Sequence, residues 1–193
     1  MFICRWGDSG GITLDRITKA VFRLWGSVGR DGRLHDRPRF ADDLAAQCGD
    51  HLFLRSAQVS KWSFGQQLEH LYRSSHYVLD RLEESLTGEN ASEPIGMWGR
   101  GLMIGGFIPR GAFPTIPPLE PASGTMDDIR PLRESLKKRL AEIDWDLAQI
   151  KASPGRSRHP RMKWLSSSQW LFFADIHHRH HLAIMRDIVK AAG

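Results

Sequence analysis

Cysteine is almost missing from this chain. Cys4 and Cys48 are the only two in 193 residues, which rules out a disulfide framework, and a reducing, cytoplasmic setting is expected. No apolar run approaches the roughly 20 residues of a membrane-spanning helix. Arg5 and Asp8 interrupt what would have to be the apolar core of a signal peptide. Convincing strand patterning and internal repeats are also lacking, so neither a β-fold nor a repeat array is expected. There is no His-Glu-x-x-His, the pattern that gives metalloproteases two ligands and a glutamate base on one helix. Gly7-Asp8-Ser9-Gly10-Gly11 copies the nucleophile stretch of trypsin-like proteases. Those enzymes place that serine late in a long β-barrel chain, after their histidine and aspartate, so here the stretch reads as a glycine turn.

Positive charge is less abundant than the net +5 suggests. Residues 1–40 hold eight Lys+Arg and four Asp+Glu, a net of +4, which leaves +1 for the rest. The basic character belongs to an N-terminal arm, which argues against a nucleic-acid-binding body. A second cluster, Arg156, Arg158, Arg161 and Lys163, lies in a Pro/Gly/Ser-containing loop. A solvated loop is the ordinary reading of such a run, with a site for an anionic substrate group as the rarer one.

Helical periodicity is plentiful. Leu14, Ile17, Val21, Leu24 and Val28 mark an amphipathic helix over about residues 12–28, and a shorter one follows Pro38 with Phe40, Leu44 and Cys48 on one face. Ser63 is the N-cap candidate of a strong helix over about residues 63–86, with Phe64, Leu68, Leu71, Ser75, Val78 and Leu82 as its stripe. Residues 88–124 are rich in Gly, Pro and Ser, yet too apolar to be disordered throughout, so they are expected to cross one end of the helices and wall a cleft. Ile129, Leu132, Leu136, Leu140, Ile143, Leu147 and Ile150 predict a helix over about residues 127–151. In it Pro131 must lie in the first turn or mark a kink. Ser166 and Gln169 form a candidate capping box for a final helix over about residues 167–190.

That final helix carries the most unusual pattern. Trp170, Ala174, His177, His181, Ile184 and Ile188 recur at alternating spacings of four and three, the inward seam of a packed helix. Two imidazoles therefore stand where leucine or isoleucine belongs, with His178 and His180 on the flanks. One turn apart, they can converge on one point. A shared metal ion would explain them, since neutral imidazole is the commonest protein ligand for zinc and similar ions. A hydrogen-bonded core pair, or two rings facing a wet cleft, would explain them equally well from spacing alone. His70 shares a polar face with Gln66, Ser74, Tyr77 and Arg81, off its helix's apolar stripe, and by spacing reads as exposed.

Two segments together resemble a known family. Trp62-Ser63-Phe64-Gly65-Gln66-Gln67-Leu68-Glu69-His70-Leu71 is similar to the W-S-φ…L-x-H-L entry to the second helix of the DinB-like superfamily of bacterial four-helix-bundle metalloproteins. His159-Pro160-Arg161-Met162-Lys163-Trp164-Leu165, followed by Trp170, Phe173 and His177-His178-Arg179-His180-His181, resembles its closing H-P…L…W…F…H-x-x-H-H segment. The resemblance implies an all-α fold, an antiparallel four-helix bundle over residues 39–193. Residues 1–38 would be an extra N-terminal helical arm or an upstream extension. It further implies that His70 joins His177 and His181 in a three-histidine site for a divalent metal, zinc or nickel by ligand chemistry. Some relatives are thiol-dependent S-transferases or isomerases with a low-molecular-weight thiol as cosubstrate. The expected function is thus activation of a thiol or water for transfer or hydrolysis on a small molecule; the alternative is a metal-binding stress-response protein without turnover. A small-molecule substrate is expected as partner, with no nucleic acid and no membrane, and a homodimer is left open.

Overall fold

The computed structural model describes residues 51–87, 94–111, 113–143, 145 and 147–192. The helical patterns at residues 12–28 and after Pro38 lie outside these residues. The described part is mostly helical: α1 (Phe64–Thr87), α2 (Met97–Gly105), a 3-10 turn (Pro117–Leu119), α3 (Met126–Ala141), α4 (Leu147–Ala152) and α5 (Ser167–Ala192), with one hairpin of β1 (Arg156–His159) and β2 (Lys163–Ser166). None of these helices is long and apolar enough to cross a membrane.

The three long helices start with the same chemistry. The first free N–H groups of a helix need acceptors, and a Ser or Thr paired with a residue three positions on supplies them reciprocally. Ser63 Oγ accepts from Gln66 N (3.2 Å) while Gln66 Oε1 accepts from Ser63 N (3.0 Å). Thr125 and Asp128 form the equivalent pair at α3, and Ser166 and Gln169 form the expected one at α5.

Helix α1 is the central element, packed chiefly on α5 and then on α3. Its apolar stripe is buried as the spacing requires, with Phe64, Leu68, Leu71, Val78, Leu79 and Leu82 all inside. Polar cross-links reveal the chain directions. Gln67 meets His181 and Ser85 meets Ser167, so α1 and α5 run antiparallel. Glu69 meets Ala122 and Gly124, His76 meets Leu132, and Arg139 meets Asp80 and Glu83, so α1 and α3 run in the same direction. The connection between residues 87 and 126 carries the chain back to the end where α1 began, and α3 sets off parallel to it.

Two expectations need correction. The helix read over residues 127–151 is two pieces, α3 ending at Ala141 and α4 beginning at Leu147. The apolar spacing persists because Leu140, Trp145 and Ile150 all bury into the same core. Burial can repeat at helical spacing without continuous backbone bonding between the two pieces. Pro131 lies in the second turn of α3, past the position where a missing N–H costs nothing. The hairpin was unforeseen. Its first strand, Arg-Ser-Arg-His, has no apolar alternation, and only Ser157 among its four residues is buried. His159 pairs with Lys163 across a three-residue loop, and Lys163 takes the left-handed conformation (φ 64°) that closes such loops.

The chain between α2 and α3 is pinned onto α1 at one place. Glu69, fully buried, accepts from the N–H groups of Ala122 (2.9 and 3.0 Å) and Gly124 (3.0 Å) and pairs with Arg73 at 2.7 Å. A Cβ at Gly65 would lie 2.0 Å from the Gly124 carbonyl oxygen, so only glycine permits this approach, and Gly124 itself has φ 72°. Leu119, at the end of the 3-10 turn, is thereby held over α1.

Candidate metal centre

Leu119 lies over His70. The His70 Nδ1–H donates to the Leu119 carbonyl at 2.8 Å, so the lone pair of the neutral ring sits on Nε2. That nitrogen is 3.3 Å from Nε2 of His177. His181, one turn further along α5, donates its Nδ1–H to Gln67 Oε1 at 2.6 Å, which again leaves the Nε2 lone pair. Gln67 is itself oriented by its amide N–H bond to Ser60 Oγ (2.9 Å), which also accepts from Trp62 N (3.1 Å). One ligand nitrogen from each of His70, His177 and His181 falls within 4.8 Å of the other two. His70 and His181 are buried, and His177 is partly open to a cavity.

Spacing alone had His70 exposed. It is 3% exposed, and Ser74 on the same face is also 3% exposed, because residues 113–124 cover that side of α1. The seam of α5 is also wider than read. Trp170, Ala174, His181, Ile184 and Ile188 are buried as expected, and so are Ile176, His178 and Met185. His178, expected on a flank, faces α1, where its Nε2 meets Ser75 Oγ at 3.1 Å. His180 lies partly buried beside His181, their rings perpendicular at 5.0 Å.

The electrostatics favour neutral rings. Burial holds the pKa of His177 and His181 well below the ordinary imidazole value, and the neighbouring imidazoles, His70 beside His177 and His177 beside His181, add to it. Burial lowers His70 too, against the Leu119 hydrogen bond, which acts the other way. Neutral imidazole is the form that ligates metal. A tetrahedral ion at about 2.0–2.1 Å from its ligands sets neighbouring nitrogens roughly 3.3 Å apart, the separation of His70 and His177. The donor set therefore fits a divalent ion. Both Nδ1–H groups are held by carbonyl oxygens, as is usual around ligating histidines. If the rings were only a core pair, His177 would have to carry its proton on Nε2 and donate to His70.

The three imidazoles open onto a cavity of about 590 Å³. Trp62 forms one wall, its ring 4.9 Å from His70 and nearly parallel to His181. Tyr77, Leu102, Phe113, Phe173 and Ile184 supply much of the remainder. His159 and Arg161 of the hairpin and His180 of α5 also line it. Sequence reasoning placed no functional weight on Gln67 or His159. The bond from Gln67 to His181 joins positions 114 apart and has no local signature. His159 Nδ1 accepts from Arg161 N (3.1 Å) and Met162 N (3.2 Å), a turn device invisible without the hairpin.

Neither the curated proteins nor the solved structures yield a match to this chain. The family model of the DinB superfamily matches residues 14–185, nearly the whole length and more of the N-terminal part than the two quoted segments reach. On that match, the chain belongs to the DinB superfamily.

Proposed function

We propose that the protein is a metal-dependent enzyme in which His70, His177 and His181 hold one divalent ion, zinc or nickel, that activates a thiol or water for transfer or hydrolysis on a small molecule. The observation that carries this reading is the opening of the three nitrogens onto a 590 Å³ cavity. A structural zinc site is closed by four protein ligands, whereas three ligands beside a substrate-sized space leave a coordination position for chemistry. When bound, the ion would supply the Lewis acidity that makes a thiol or water nucleophilic near neutral pH.

The chain's own contributions are positional. Leu119 and Gln67 fix the two rings whose Nδ1–H groups they accept, so the ligand set is arranged before anything binds. Trp62, Phe113 and Phe173 give the cavity apolar walls that exclude bulk water from the reacting groups. The thiol would be a low-molecular-weight cosubstrate, in keeping with a chain that has only two cysteines, Cys4 and Cys48.

Cobalt substitution tests the reading directly. Protein purified without a histidine tag should take up one cobalt per chain, and a small thiol should then produce sulfur-to-cobalt charge-transfer absorption in the near ultraviolet at pH 7.5. Uptake of cobalt without a thiol- or substrate-dependent spectral change would leave only a closed or inert metal site. No uptake at all would leave three imidazoles at the cavity wall without a metal role.

A further inference from the structure

The charges that line the cavity are of one sign. Lys61, Arg110 and Arg161 contribute to its wall, and no Asp or Glu does among the described residues. Two of the cations are already matched, Lys61 with Glu120 at 3.6 Å and Arg110 with Asp187. Arg161 makes no ion pair among the described residues; its guanidinium instead lies 5.8 Å from the centre of the Phe113 ring, another cavity residue. Of the four cations on the hairpin, Arg156, Arg158, Arg161 and Lys163, it alone lines the cavity.

Its backbone is firmly placed. The His159 ring accepts from Arg161 N and Met162 N, so the tip of the turn is fastened from within. Met162 is buried at 2% exposure, and its carbonyl accepts from Gly96 N at 3.0 Å. The His159 ring is itself held between Trp170 (5.3 Å) and Phe173 (4.8 Å). A guanidinium on an anchored turn, over an aromatic ring at the edge of an apolar cavity, is suited to a planar anion.

We propose that the cavity takes a small molecule with an apolar body and a terminal carboxylate, and that Arg161 binds the carboxylate while the body lies along the aromatic walls toward the three histidines. This rests on the metal-site reading for the far end of the molecule only. His159 acts as a positioning residue, through the turn that carries Arg161.

The test uses the full chain loaded with zinc, its stoichiometry measured first, and isothermal titration with matched probes. 6-Mercaptohexanoate should bind on the order of tenfold or more tighter than 6-mercaptohexanol, the scale of a charge-assisted hydrogen bond. Arg161→Ala should abolish that preference and Arg161→Lys keep part of it. Arg158→Ala removes the same charge from an exposed site outside the cavity and should leave the preference intact. Equal affinity for the two probes overturns the proposal, as does a preference that survives Arg161→Ala or falls equally with Arg158→Ala. Hexanoate against hexanamide repeats the comparison without a thiol. A preference in that pair places the carboxylate-bearing molecule in the cavity independently of sulfur; a preference confined to the mercapto pair places the carboxylate on the thiol itself. If metal loading improves binding of neither thiol while hexanoate is still preferred, the thiol-activation reading fails and the anion site stands.

Discussion

Five consecutive positions of α5 hold four histidines, and the four divide into two kinds. His177 and His181 stand one turn apart and each bring a ring nitrogen within 4.8 Å of one on His70. His178 and His180 are of the same type on the same helix and do not join them. His178 is more buried than His177, at 3% exposure, yet its Nε2 is taken by the Ser75 hydroxyl. His180 is partly buried, and burial lowers its pKa against a smaller upward effect of the Ile108 backbone. Burial and residue type therefore do not select a ligand. What sets the three apart is that their ring nitrogens converge on one point, with the opposite nitrogen held by an oxygen in His70 and His181.

The sharpest way to break that distinction is by substitution. His70→Ala, His177→Ala and His181→Ala should each reduce bound metal from about one equivalent to near zero, because two nitrogens make an incomplete site. His178→Ala and His180→Ala should retain it. Metal analysis of the five purified variants decides the matter. Loss in the second group with retention in the first would reverse the assignment.

The supporting contacts come next. Gln67→Ala keeps all three ligands but leaves the His181 Nδ1–H without its acceptor, at a residue only 1% exposed. Metal affinity should fall about 10- to 100-fold, the usual consequence of removing a group that orients a ligand. Chelator competition measures it. An unchanged affinity would mean that packing against Trp62 suffices to hold the ring.

How much of this could be read beforehand follows from which contacts are local. The stripe of α1, the seam of α5, the Ser63 N-cap and the Ser166 capping box are periodic or short-range, and the spacing displays them. His177 and His181 were visible for the same reason. His70 was not, since its burial is caused by chain some fifty positions later that Glu69 ties down, and the family resemblance alone pointed to it. The hairpin was missed because its first strand is mostly charged and its Ser157 is held by the Arg81 carbonyl, while the turn is held by Gly96, none of which shows as an alternating apolar face. The break after Ala141 was missed because the buried residues keep their rhythm across it.

On the other side of the comparison, His178 should matter to folding and not to metal. His178→Ala removes a buried ring and leaves the Ser75 hydroxyl without that contact, so the protein should lose roughly 1–3 kcal/mol of stability. Urea unfolding of the metal-free variant measures the loss. If His178→Ala is neutral in stability and lowers metal affinity, it acts on the site and the division drawn here is too simple.

The smallest effect expected is a pH dependence within the metal-free protein. Burial pushes the His178 pKa down to about 3 and that of His159 down to about 4, against an ordinary value of 6.5. The folded form thus resists a proton that the unfolded chain accepts. Above pH 6.5 both forms are neutral and the stability is fully present. As pH falls below 6.5 the unfolded chain protonates first, and stability declines until the folded rings themselves titrate, near 4 for His159 and near 3 for His178. Each such ring can steepen the slope by at most about 1.4 kcal/mol per pH unit. Midpoints of urea unfolding at pH 7.5, 6.5 and 5.5 should therefore be nearly level over the first interval and fall over the second. His178→Asn, which cannot take up a proton, should have a shallower fall than the parent over the same interval. The two profiles running parallel would mean that His178 is protonated as readily folded as unfolded, and that its contact with Ser75 does not depend on a neutral ring.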